Sequence, residues 1–223
     1  NAVEYDARRF GTLLSTNVAS GRVDYKSFGS SAEFEIHVAS LETASLDGLD
    51  TDEQLAFWIN AYNALVIKNV LDHPGTKSPL DVKGFFDNIP FTVAGRTLTL
   101  NGIENDLIRP TFKEPLIHFG LVCAAQSCPP LVPTLYTGAN VRSLLATNAR
   151  AYLADNAQNG WDASKKRLRL SKIFEWYIVD FGNDHDGLRT FAGEYGTAEM
   201  KKAIEGGSVK VFFQEYDWRI NSK

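Results

Sequence analysis

Residues 55–67 constrain the fold more than any other stretch. Leu55-Ala56-Phe57-Trp58-Ile59-Asn60-Ala61-Tyr62-Asn63-Ala64-Leu65-Val66-Ile67 is apolar nearly all the way round a helical wheel. A helix with no face to offer water belongs at the centre of a core. It opens at Thr51-Asp52-Glu53-Gln54, where Thr51 is expected to cap and Gln54 to answer from the third helical position, and it stops near Pro74. The rest of the chain must wrap around it.

The wrapping is mostly helical. Tyr5, Phe10, Leu13 and Leu14 predict one helix, and Phe34, Ile36, Val38 and Leu41 a second, joined by an extended link at Gly21–Tyr25. Phe91-Thr92-Val93 and Thr97-Leu98-Thr99-Leu100 flank Ala94-Gly95-Arg96 as a hairpin, and Asn101 is placed to cap a short helix from Ile103 to Ile108, ended by Pro110. Leu116 to Cys123 is a continuous apolar run, which predicts a strand covered on both faces at the centre of a small sheet. Val141–Leu153 reads as a helix, Arg167–Leu170 as a half-buried strand, and Ser171 as the cap of a helix carrying Ile173, Phe174, Tyr177, Ile178 and Phe181. Short helices around Leu188 and Ala198 and a last strand at Val209–Phe213 complete a mainly helical α+β domain around a small sheet. All 223 residues are expected to form a single domain, with a pocket at the end of the His118 strand.

Composition narrows the function. The 44% hydrophobic and 22% charged residues are those of a folded globular chain. The net charge of -4, with no block of Lys or Arg, argues against nucleic acid as a partner. No apolar run reaches the ~18 residues that a membrane-spanning helix needs. No strand–Gly-rich-loop–helix pattern surrounds Gly182 or Gly206-Gly207, so no phosphate cofactor is expected. The start at Asn1-Ala2-Val3, without Met, is expected to reflect a removed leader or a trimmed chain.

Chemistry concentrates in His118 to Pro130, which holds both cysteines and one of four histidines. Cys123 and Cys128 admit four readings: small buried hydrophobes, a disulfide, two ligands of a zinc site with His118, or a nucleophilic thiol. In the catalytic reading Cys128, beyond the strand, attacks after His118 takes its proton. Asn60 and Asn63 on the buried helix either orient that imidazole or clamp a nearby loop. Glu104 and Arg109 form an exposed ion pair, or else Glu104 orients His118 and Arg109 binds a substrate carboxylate. Asp180 and Asn183-Asp184-His185-Asp186-Gly187 look like a calcium loop but lack its twelve-residue spacing and terminal glutamate, so no metal is expected. His37 and His73 have no companions in the sequence.

Several spaced blocks together resemble one family: Phe57 to Leu65, Ile103-Glu104 with Arg109-Pro110, His118-Phe119 through Cys123 to Ser127-Cys128-Pro129-Pro130-Leu131, and Leu170 to Tyr177 with Asp180-Phe181. In this order they resemble the domain-of-unknown-function family number 547, over about residues 50–182. Residues 1–49 are then N-terminal helices packed on that core, and 183–223 a C-terminal set of helices and a strand. The resemblance implies an extracytoplasmic protein, either periplasmic, secreted or lipid-anchored. In some eukaryotic relatives the domain stands beside a glutaredoxin module, which implies thiol or glutathione chemistry. The leading expectation is a cysteine-dependent enzyme performing acyl or thiol transfer on a small-molecule or peptide substrate. Its catalytic residues would be Cys128, His118, Asn60 and Glu104, with Arg109 and Asn63 binding substrate. The alternative is a non-catalytic binding or scaffold domain whose cysteines are buried or disulfide-linked.

Overall fold

In the computed structural model, which describes residues 4–223, the longest element is a 22-residue helix, buried through its middle. Three short helices precede it: α1 (Ala7–Asn17), α2 (Tyr25–Gly29) and α3 (Ala32–Leu41). Between α1 and α2 the expected extended link is half of a hairpin, β1 (Val18–Ala19) against β2 (Arg22–Val23). The long helix α4 (Thr51–Asp72) buries Leu55 to Ile67 without interruption. Its capping box is shifted one residue from expectation. Asp50 accepts from the backbone N–H groups of Asp52 and Glu53, both at 2.9 Å, and Glu53 answers to Asp50 N at 2.8 Å. A carboxylate at the cap also complements the positive end of the helix dipole, an advantage the Thr51 hydroxyl lacks.

The hairpin β3 (Phe91–Val93) and β4 (Arg96–Leu98) forms where expected, but its turn is only Ala94-Gly95, both at positive φ, so Arg96 belongs to the second strand, which ends at Leu98. The segment after the hairpin departs from expectation. Gly102–Ile108 is a π-helical turn, not an ordinary helix, and Asn101 makes no side-chain cap. Pro110 does not end it, because α5 (Arg109–Phe112) continues with the proline in its first turn, where no N–H is missed.

The strand expected at Leu116–Cys123 does not form. Pro115–Phe119 is a 3₁₀ turn capped by Glu114, and Leu121-Val122 runs on as buried loop to a half-buried Cys123. A short apolar run is equally compatible with a buried strand and with any other buried segment. Here Pro115, with its φ fixed and no N–H to give a ladder, favours the turn. The remaining elements are α6 (Val141–Ala154), β5 (Gly160–Asp162), β6 (Arg167–Leu170), α7 (Lys172–Trp176), α8 (His185–Tyr195), α9 (Ala198–Glu205) and β7 (Lys210–Phe213), with a 3₁₀ turn at Ile178–Phe181 between α7 and α8. β6 is the middle strand of a three-stranded sheet, antiparallel to β5 and parallel to β7.

About half the chain is helical, which makes the fold mainly helical α+β. One cluster of buried side chains runs from Phe10 through α4 to Val209. The tail after β7 has no regular structure but is firmly tied. It returns across the cysteine segment through Gln126 N to Arg219 O (2.8 Å), Ser127 N to Asp217 O (3.1 Å) and Asn221 N to Ala124 O (2.9 Å). Tyr216 and Trp218 are thereby carried against residues nearly a hundred positions earlier in the chain.

Candidate functional site

His118 closes the 3₁₀ turn and is almost wholly buried, at 3% exposure. Its Nε2 lies 2.7 Å from Asp180 Oδ2, and its Nδ1 faces Glu104 Oε1 at 3.8 Å. An ionised carboxylate can only accept, so Nε2 carries the hydrogen. The ring stacks on Tyr177, with centroids 4.0 Å apart. Asp180 also receives Arg109 Nε at 2.7 Å and Nη2 at 3.0 Å, a bidentate pair. Burial opposes ionisation of Asp180, but the hydrogen bonds from His118 and Arg109 outweigh it and hold the carboxyl well below the usual carboxylate range.

The π turn places Glu104 at the deep end of this arrangement. Glu104 is 6% exposed and accepts the Tyr62 hydroxyl at Oε2, 3.3 Å away. Burial first, and the Glu104 charge second, push the Tyr62 and Tyr177 hydroxyls upward, so both stay protonated donors. The ion pair expected between Glu104 and Arg109 is not made. Arg109 turns instead to Asp180, and its guanidinium lies 5.1 Å from the Tyr177 ring centroid. With its fork filled by Asp180, Arg109 is not free to grip a substrate carboxylate.

Cys123 and Cys128 are joined in a disulfide, their Cα atoms 6.2 Å apart. Cys128 therefore holds no thiol for His118 to deprotonate, and both imidazole nitrogens face carboxylates. The Tyr216 hydroxyl donates to Cys128 Sγ at 3.2 Å and lies 3.3 Å from Cys123 Sγ, while the Cys123 backbone N–H donates to Cys128 Sγ at 3.0 Å.

Asn60 and Asn63 reach neither His118 nor the cysteines. Asn60 clasps the backbone of Tyr136, giving Nδ2 to its carbonyl at 2.8 Å and receiving its N–H at 3.2 Å. Asn63 does the same for the cysteine loop, donating to Gly120 O at 2.8 Å and accepting from Val122 N at 2.9 Å. These are clamps between α4 and two loops, each satisfying a pair of buried backbone groups.

Glu104, His118 and the disulfide line one cavity of about 220 Å³. Tyr62, Phe86 and Tyr177 form one part of its wall, and Trp176, Tyr216 and Trp218 another. The last three pack on one another with centroids 4.7–5.6 Å apart. Asp87 and Asn101 stand at the solvent side, and no Lys or Arg among the described residues lines the space. Glu104, His118 and the cysteines are legible in the sequence as reactive residue types, whereas the only signal of Tyr216 and Trp218 is two aromatics close together in an irregular tail. Asp180 stands in the sequence both beside a calcium-like loop and in the family-like Leu170–Phe181 block, and neither placement pairs it with His118. Asp184 in that loop instead caps α8, accepting from Gly187 N at 2.8 Å.

Residues 46–153 match the model of a family described as "Protein of unknown function, DUF547". That span holds Tyr62, Glu104, His118 and both cysteines; Trp176, Tyr177, Asp180, Tyr216 and Trp218 lie beyond it. No curated protein and no solved structure matches the chain.

Proposed function

We propose that this chain, whose residues 46–153 match the DUF547 family model, is a binding domain that holds a small molecule in the aromatic cavity over Glu104 and His118. The observation that carries the reading is the combination of a joined Cys123–Cys128 pair with an imidazole whose two nitrogens both face carboxylates. Such a site lacks an activated nucleophile but keeps the ingredients of recognition: a concave aromatic wall with a few convergent polar groups. The disulfide then acts as part of the wall, fixing the loop that Asn63 also clasps. A disulfide persists in oxidising compartments, which supports an extracytoplasmic location.

One observation favours a second reading, cysteine chemistry after reduction. Once a dithiol has opened the bond, a Cys128 thiolate would receive hydrogen bonds from the Cys123 N–H and the Tyr216 hydroxyl, which lower a thiol pKa. Cys128 could then serve in acyl or thiol transfer, with His118 and Glu104 nearby.

A mapping experiment separates the two. A panel of neutral, cationic and anionic fragments is followed by NMR shift changes in the oxidised protein and in a Cys123→Ser/Cys128→Ser variant. Binding predicts that at least one class perturbs Tyr62, Glu104, His118 and Trp218 in both proteins. Perturbation only after reduction of the wild type, and none in the variant, would reverse the order of the two readings.

A further inference from the structure

We propose that the ligand of this cavity is an organic cation, a small protonated or quaternary amine whose charged head sits among the aromatic rings above Glu104. The inference rests on the binding reading and adds the chemical class. Two kinds of observation point to it.

The first is the charge balance of the lining. Glu104 is buried at 6% exposure, yet its support is thin: the Tyr62 hydroxyl donates a long hydrogen bond at 3.3 Å, the Tyr177 hydroxyl lies near enough to add to it, and its Oε1 stands 3.8 Å from His118 Nδ1. Among the described residues no counter-charge is hydrogen-bonded to this buried carboxylate, since the nearest basic ring, His118, gives its Nε2 to Asp180 and holds Nδ1 3.8 Å away. The nearby guanidinium cannot supply one, because Arg109 is spent on Asp180 and does not line the space. Asp87 adds a second carboxylate at the solvent side, so an anion entering the cavity meets two like charges.

The second observation is the wall. Tyr62, Phe86, Trp176, Tyr177, Tyr216 and Trp218 surround a volume of only about 220 Å³. Aromatic faces carry negative quadrupole potential, and several of them around a desolvated ammonium attract it without forming hydrogen bonds. A neutral apolar ligand would enjoy the same rings but leave Glu104 without its partner. A cation satisfies both, and the volume limits it to a head the size of trimethylammonium with a short substituent.

The test compares choline with its neutral isostere, 3,3-dimethylbutan-1-ol, and with an anion, benzoate, on the intact oxidised protein. Tryptophan fluorescence and NMR shifts at Trp176 and Trp218 are the readouts. Choline is expected to bind in the cavity about tenfold or more tightly than the isostere. Glu104→Gln should remove that preference while leaving the isostere unchanged. Should Glu104→Gln fail to fold, Trp176→Ala, read at Trp218, carries the test, since Trp176 is 47% exposed and its loss should leave the protein folded and weaken choline more than the isostere. Equal binding of choline and the isostere, or tighter binding of benzoate, overturns the cation while leaving the cavity as a binding site. If no probe shifts Trp176 or Trp218, the cation and the binding reading fall together.

Discussion

His118 and Asp180 are 62 residues apart in the chain and 2.7 Å apart in the fold, from Nε2 to Oδ2. The same carboxylate takes both arms of Arg109, so one aspartate ties the 3₁₀ turn of His118 to the end of the π turn. Asp180→Ala should leave a buried imidazole N–H and a guanidinium without their acceptor, at a cost of about 2–3 kcal/mol in urea unfolding. The pH dependence arises from the depressed carboxyl. Its contribution is present in full above the ordinary aspartate value of about 4 and is lost as pH falls below it, because the unfolded chain takes up the proton first. Asp180→Asn should flatten that acid limb, and an unchanged limb would show that Asp180 does not carry it.

Asn63 supplies the second tie. Asn63→Ala strands the carbonyl of Gly120 and the N–H of Val122, both in buried loop, and is expected to cost about 2–3 kcal/mol. Fragment binding by the folded variant should persist, because Asn63 lies outside the cavity lining. A variant that keeps full stability would contradict the clamp.

How far the sequence led depends on where each element draws its stability. α4 could be read from its own residues, since an all-round apolar helix has one possible environment, and the Ser171 cap and the 91–98 hairpin rest equally on local chemistry. The Leu116–Cys123 segment could not. Its apolar run records burial alone, and a non-local clasp from Asn63 takes the place of the sheet ladder. The site divides in the same way. His118, Glu104 and the cysteines stood out as reactive residue types, whereas Asp180, Tyr216 and Trp218 belong to the site only because a 3₁₀ turn and an irregular tail deliver them there. The tail's position is set by bonds to Gln126 and Ser127, which leave no periodicity in residues 214–221.

His37 gives a separate test of the core. It is completely buried, stacked on Phe10 with centroids 5.0 Å apart and beside Tyr5 at 5.8 Å, and neither ring nitrogen has a hydrogen-bond partner among the described residues. Burial, aided by the nearby Arg9 charge, pushes its pKa down from 6.5 to about 4. The unfolded chain therefore protonates first on acidification. Stability should be full above about pH 6.5, decline as pH falls and level off near pH 4, a loss on the order of 3 kcal/mol. Urea midpoints from pH 7 to 4.5 check this, and the decline should shrink in His37→Leu.

The claim that the cavity recognises rather than attacks depends on the sulfurs being joined. The most direct measurement is the intact mass of the native protein after iodoacetamide treatment without reductant. The disulfide predicts no adduct, with alkylation beginning only after dithiothreitol and faster at the half-buried Cys123 than at Cys128, which is 6% exposed. An adduct on Cys128 in the native, unreduced protein would contradict the account and put the thiol back at the centre of the chemistry.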